Sequence, residues 1–155
     1  MIQPAFLSPL RAEQIALDTW RLLDPLVYRS AILRTTVTVP AGFASDGDSI
    51  PRWLPLIYAI LKGVATAPAF VHDHVYQTHH AHDVLVTRAQ ADAALHEAAG
   101  AEGPGIIPTS AWRRWLLWSG VRVGGSWAWY TGPRRYSRLL NYQIQDRRVE
   151  PREQA

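Results

Sequence analysis

The chain has no cysteine. Disulfides, thiolate metal sites and a cysteine nucleophile are excluded, and a reducing cytosol suits the composition. Lysine is nearly missing too: Lys62 stands alone, so basic charge is carried by arginine. No run of about 18 apolar residues occurs, which argues against a membrane-spanning helix. The opening stretch MIQPAFLSPLRAEQ lacks the basic start and apolar core of a secretory signal. No G-x-x-x-x-G-K-[ST] loop, G-x-G-x-x-G turn, G-x-S-x-G elbow or H-E-x-x-H helix is present, so simple nucleotide hydrolysis, Rossmann redox chemistry and the common serine-hydrolase and zincin schemes lose their usual support.

What is present suits a soluble globular chain. With 155 residues, 48% of them apolar and 19% charged, a single domain over residues 1–155 is expected. The net charge of +3 is unevenly spread. Arg113, Arg114, Arg122, Arg134, Arg135, Arg138, Arg147, Arg148 and Arg152 meet only Asp146 and Glu150 between residues 113 and 152. Such a stretch can face phosphate, in nucleic acid or a lipid headgroup, or it can simply be a solvated surface. No nucleic-acid-binding module accompanies it, which counts against nucleic acid as the partner.

The pattern predicts an α+β fold. Residues 14–45 read as a small antiparallel β meander. Trp20 to Leu23 and Leu26 to Tyr28 flank the turn signal Asp24-Pro25, and the β-branched run from Ile32 to Val39 stops at Pro40. Residues 41–49 read as loop. From 51 to 145 the texture is helical: a short helix at 54–61, one opening around Pro68 and reaching Thr78 or His79, one at 88–99, one from Ser110 to Val123, and a last at 134–145. Thr87 and Gln90 fit a capping box for the 88–99 helix, and Gly100 fits its stop. Residues 146–155 are expected to fray.

All six histidines fall between His72 and His96. On a helix His72, Tyr76 and His79 share a face, with Asp73 beside them. The next helix follows after a short connection, so an antiparallel pair is expected, with Asp92 able to face His72. A histidine oriented by a carboxylate is a general-base arrangement. That makes His72, Asp92 and Tyr76 the candidate catalytic group, although a satisfied core histidine is the simpler alternative. Asp73 is left for a hard cation such as calcium, helped by Asp46 and Asp48 in the loop Ser45-Asp46-Gly47-Asp48-Ser49; aspartates that merely cap a turn read the same way. Ser49 and His96 are candidates to support the group from behind, and His96 reads equally well as surface. His74 should point away toward solvent. His79, His80, His82 and Asp83 read as the inter-helix turn, with a transition-metal site as the alternative. Trp112, Trp115 and Trp118 recur every three residues. That row should pack over the helix pair, or else lie on a membrane interface.

Two resemblances attach to these residues. Val39-Pro40-Ala41-Gly42-Phe43, Ser45-Asp46-Gly47-Asp48-Ser49-Ile50-Pro51, His72-Asp73-x-x-Tyr76 and Arg88-x-x-x-Asp92 resemble the V-P-x-G-F-x-T-D-x-x-S-I-P … H-D-x-x-Y … A-D pattern of a family of short phage and prophage proteins without an assigned reaction. Ser45 stands where that pattern has Thr, and Asp48 where a small residue is commoner. The match spans roughly residues 20 to 125. It implies a phage-derived protein acting in the host cytoplasm or carried in the virion.

The helix pair alone is similar to the secreted phospholipase A2 superfamily. That likeness implies His72 as the base that activates water, Asp73 as calcium ligand, Asp92 as the orienting acid and Tyr76 as its support. The superfamily's disulfides and glycine-rich calcium loop are missing here. The leading expectation is therefore a phage-encoded, calcium-assisted hydrolase of lipid esters. The alternative is a non-catalytic tail or tail-tip protein, with other virion proteins as partners and the His-Asp-Tyr network as a buried polar staple.

Overall fold

In the computed structural model, residues 2–16, 19–45 and 65–132 are described. The predicted helices at 54–61 and 134–145, the tail at 146–155, and Asp46, Asp48 and Ser49 lie outside them. The remainder is α+β: an N-terminal set of short antiparallel strands followed by helices. In chain order come β1 (Ala5–Phe6), β2 (Ala12–Ala16), β3 (Thr19–Leu22), β4 (Leu26–Ser30), β5 (Thr35–Val39) and β6 (Ala44–Ser45). Then follow α1 (Thr66–Thr78), β7 (His80–Ala81), β8 (Val84–Leu85), α2 (Arg88–Ala98) and α3 (Ala111–Gly124). A further helical segment at 126–132 follows α3.

Strand alternation sets the core. In β4, Leu26, Tyr28 and Ser30 are buried, Val27 is half-buried and Arg29 is exposed. β5 pairs antiparallel with it, Leu26 opposite Val39 and Tyr28 opposite Val37. A period of two therefore collects Leu26, Tyr28, Val37 and Val39 on one face. All four are fully buried, each contributing about 1.5–3 kcal/mol by leaving water. β1 joins the other edge of β4, with Phe6 opposite Tyr28. The meander thus starts earlier than residue 14, and β5 starts at Thr35 rather than Ile32. Residues 31–34 form a turn in which Arg34 adopts φ 55°, so the strand cannot extend through them.

A second sheet has the order β2-β3-β6, with Trp20 opposite Ser45 and Arg21 opposite Ala44. Gly42, at φ 81°, turns the chain between β5 and β6. That turn sets Ser45 at the end of β6, facing α1.

α1 carries Pro68 in its first turn, where a missing N–H costs nothing. It buries Phe70, Val71 and Val75, together with His72 and Tyr76. His79 ends it in the left-handed region, its N–H donating to the Val75 carbonyl at 2.8 Å. Residues 80–85, expected as a plain turn, form the small β7-β8 hairpin with His82 at φ 54°. The capping box opening α2 is complete: Thr87 Oγ1 accepts from the Gln90 N–H and Gln90 Oε1 accepts from the Thr87 N–H. α2 buries Ala91, Asp92, Ala94, Leu95 and Ala98, a mostly small-residue face that lets it sit close to its neighbours. Thr66, Ala67 and Pro68 share a cavity with Ala98 and Ala99, while His72 and Tyr76 meet Asp92. α1 and α2 therefore run antiparallel.

Glu97 ties α2 to the first sheet. Its carboxylate accepts from Tyr28 Oη at 2.8 Å, Ser30 Oγ at 2.6 Å and the Ile32 N–H at 3.0 Å. Burial, then the bond and charge of Glu97, push the Tyr28 phenol well above its ordinary pKa. α3 departs from expectation. Ser110 stands at its N-cap but makes no side-chain capping bond, and no residue of α3 is fully buried. Trp112 and Trp115 are exposed, whereas Trp118 is half-buried, so the tryptophan row does not pack as one stripe into the core.

Candidate active site

Asp92 is completely buried, an expensive position for a carboxylate unless every lone pair is used. Oδ1 faces the Nε2 of His72 at 3.3 Å and accepts the hydroxyl of Tyr76. Oδ2 accepts from Arg122 Nη1 at 2.8 Å, and the Arg88 guanidinium approaches the same oxygen with Nε at 3.7 Å. Left alone, burial would raise the Asp92 pKa. The bonds from His72, Tyr76 and Arg122, with the His72 charge, hold it below the usual carboxylate range.

Helical spacing explains who meets whom. His72 and Tyr76 are one turn apart on α1, their ring centroids 4.0 Å apart, and both reach across to α2. Burial and the bond to Asp92 raise the Tyr76 phenol, while Arg88 opposes them.

His72 is 7% exposed and lies between two acids. An ionised carboxylate can only accept, so the nitrogen facing Asp92, Nε2, carries the proton. In the neutral ring Nδ1 then holds the lone pair, and it points toward Asp73 Oδ1 at 3.7 Å. That separation is too long for a direct hydrogen bond. Burial disfavours a charged His72, yet the nearby Asp73 carboxylate and the bond and charge of Asp92 outweigh it and raise its pKa above the ordinary imidazole value. Asp73 keeps a partly exposed side chain, 23%, and its Oδ2 accepts the Ser45 hydroxyl.

The structure therefore brings together His72, Asp73, Tyr76 and Asp92 from the sequence-derived set. Asp46, Asp48 and Ser49 follow directly on Ser45 but lie outside the described residues. On the Nδ1 side of His72 the structure places the Asp73 carboxylate, whose other oxygen is bonded by Ser45. Among those residues no group of three or more His, Cys, Asp or Glu is arranged to hold a metal ion.

The remaining histidines have other places. His96, one turn beyond Asp92, lines a separate cleft of about 300 Å³ with Ile32, Ala93, Trp115 and Trp118. Burial and the Arg114 charge lower its pKa. His74, expected at the surface, is half-buried with its ring edge-on to Phe43 at 5.4 Å, and burial lowers its pKa to about 4. His79 stacks on Trp129 at 3.8 Å and bonds its carbonyl through Nε2. His82 pairs with exposed Asp83 at 2.7 Å.

Two arginines were not anticipated as members. Arg88 lies one turn before Asp92, a spacing that pairs opposite charges on a helix, so it was readable. Arg122 comes from another helix, 30 residues away, and nothing local signals it. Arg88 also donates to the carbonyls of Val121 (3.1 Å) and Arg122 (2.5 Å) and to Ser126 Oγ (2.5 Å), fastening the end of α3 beside the site.

The chain belongs to the family described as protein of unknown function (DUF1353), which matches residues 20–121. No curated protein and no solved structure matches it.

Proposed function

We propose that the chain is a hydrolase in which His72 is the general base. Asp92 fixes the imidazole tautomer, and Tyr76 and Arg122 hold Asp92 in place. The observation that carries this reading is the division of labour between the ring nitrogens. Nε2 is committed to a buried acid, while Nδ1 is turned to the partly exposed Asp73. Water on that side would give its proton to Nδ1 as its oxygen attacks an ester carbonyl. The imidazolium, stabilised by Asp92, would then return the proton to the departing alkoxide. Asp73 is the carboxylate to which calcium would bind, and a bound ion would stabilise the oxyanion. Lipid esters as the substrate class, and a phage origin, follow from the sequence resemblances.

The test is His72→Gln, with fatty-acid release from phospholipid vesicles measured in added calcium. Loss of release by a variant still folded at the assay temperature supports the base. Equal release by both proteins ends the proposal.

One observation favours a second reading. The His72 ring is nearly sealed, and it lines neither the cavity beside Ala98 nor the cleft beside His96. In this reading the network is a polar staple that fixes how α1, α2 and α3 pack, and the chain is a part of a phage particle. Fixed stoichiometry in purified particles, without ester turnover, would support it.

A further inference from the structure

His72, Tyr76 and Asp92 are buried, whereas Asp73 beside them keeps contact with solvent. A partly exposed aspartate can turn about two torsions, so its direction needs a cause. Oδ2 accepts the Ser45 hydroxyl, and Oδ1 then stands 3.7 Å from His72 Nδ1. That hydroxyl comes from a fixed place. Ser45 is 2% exposed and lies opposite Trp20 where β6 pairs with β3. Just before it, the Gly42 N–H donates to the Leu22 carbonyl at 2.8 Å, and the Leu22 N–H donates to the Phe43 carbonyl at 3.0 Å. Phe43 sets this chain against α1. Its ring meets Phe70 edge-on with centroids 6.4 Å apart, and His74 at 5.4 Å. Phe70 and His74 flank Asp73 along α1, so the ring contacts bracket the acid that Ser45 bonds.

We propose that Ser45 is a positioning residue of the site: its hydroxyl on Oδ2 holds the Asp73 carboxylate beside His72 Nδ1 without letting it bond there. The proposal rests on His72 being the base. An ionised carboxylate only accepts, so an acid that closed on Nδ1 would need a proton on that nitrogen. The lone pair that must take a proton from water would then be occupied. Freed from Ser45, the carboxylate either makes that bond or swings into solvent. Both leave the place beside the reacting nitrogen. A hydroxyl bonded to a carboxylate is one of the stronger hydrogen bonds, and this donor cannot follow a wandering acid, because sheet pairing and Phe43 hold it. Serine thus acts through Asp73 and touches neither water nor ester itself.

The experiment uses the full chain and two readouts. The first is fatty-acid release from phospholipid vesicles in added calcium. Misplacing a group at the reacting centre by about 1 Å costs up to about 100-fold, so kcat of Ser45→Ala should fall by about ten- to 100-fold with half-saturating lipid unchanged. Ser45→Thr keeps the hydroxyl and should restore most of the loss. The second is urea unfolding without calcium or lipid. Ser45→Ala, Asp73→Ala and the double variant should show coupling of at least about twofold in the unfolding constant. Strictly additive unfolding overturns the proposal. So does coupling with kcat of Ser45→Ala unchanged while His72→Gln loses turnover, because the bond then only ties β6 to α1. Equal release by His72→Gln and wild type is a separate result: it removes the base, and the positioning role with it, whatever the unfolding shows. Should Ser45→Ala fail to fold, Ser45→Cys takes its place, keeping the shape with a weaker donor in a chain that has no other cysteine. Wild-type kcat in that variant overturns the proposal.

Discussion

Replacing Asp92 by Asn tests the central network most directly. The substitution keeps shape and removes charge. Asp92 takes three hydrogen bonds: from His72 Nε2, Tyr76 Oη and Arg122 Nη1. An amide offers one acceptor oxygen, and its NH₂ must face at least one of those donors. Breaking a buried, hydrogen-bonded charge pair costs about 3–5 kcal/mol. Taking about 4 kcal/mol, and roughly 2–4 °C per kcal/mol for a domain of this size, the melting temperature should fall by about 8–16 °C.

The gap should also depend on pH. Asp92 has its folded pKa depressed, so its contribution is present above the unfolded value of about 3.9 and is lost as pH falls through the folded one. His72 has its folded pKa raised, so its contribution is complete below about 6.5 and is lost as pH rises through the folded value. The difference between wild type and variant should therefore be widest between about pH 4 and 6.5 and narrow on both sides. Thermal unfolding followed by circular dichroism at fixed ionic strength measures it. A gap under about 2 °C near pH 5.5, or one that widens steadily toward pH 9, would refute the reasoning.

Arg122→Gln removes a charged donor from Asp92 Oδ2 but leaves a partly exposed site, so it should cost about 1–2 kcal/mol. In a double-mutant cycle with Asp92→Asn the two should couple by at least about 0.5 kcal/mol, and strict additivity would show that the contact carries nothing. Two glycines should respond in opposite directions. A Cβ at Gly132 would meet the Tyr76 carbonyl oxygen at 2.5 Å, so Gly132→Ala should destabilise by about 1–3 kcal/mol. Gly120 lies within α3 with nothing near its Cβ, so Gly120→Ala should stabilise by up to about 1 kcal/mol, both read from denaturant midpoints. If His72 is the base it must be neutral to act, and its raised pKa means hydrolysis should climb with pH through that value. A rate flat from about pH 5 to 9 would contradict this.

Helices α1 and α2 were readable because their ends carry local chemistry. Pro68 marks the first turn, and Thr87 with Gln90 closes both halves of a capping box. Once those limits stand, helical spacing alone sets His72 and Tyr76 on one face. A short connection then turns Asp92 back toward them. β1 and the β7-β8 hairpin were not readable. Each is two residues long, and their pairing partners rather than their own propensity make them strands. His74 fails for a similar reason: its burial comes from Phe43 on the chain leading into β6, a contact no periodicity on α1 reveals. The tryptophan row misled because spacing shows that side chains share a face but not whether anything covers it.

That uncovered face and the buried acid are linked through α3. Helices in small domains are held mainly by an apolar stripe pressed into the core. α3 buries none of its residues fully. Its C-terminal end is held by polar bonds instead: Arg88 to the carbonyls of Val121 and Arg122, and Arg122 to Asp92. Such bonds are directional and short, and they work here because Asp92 is shielded from water while the arginine stems reach in from the side. Anchoring by charge releases the apolar side of the helix from the core. The same geometry that gives Asp92 its fourth neighbour thus leaves Trp112, Trp115 and Val123 exposed. One aspartate then connects the imidazole on α1 with the surface of α3, so a change at either end should be felt at the other.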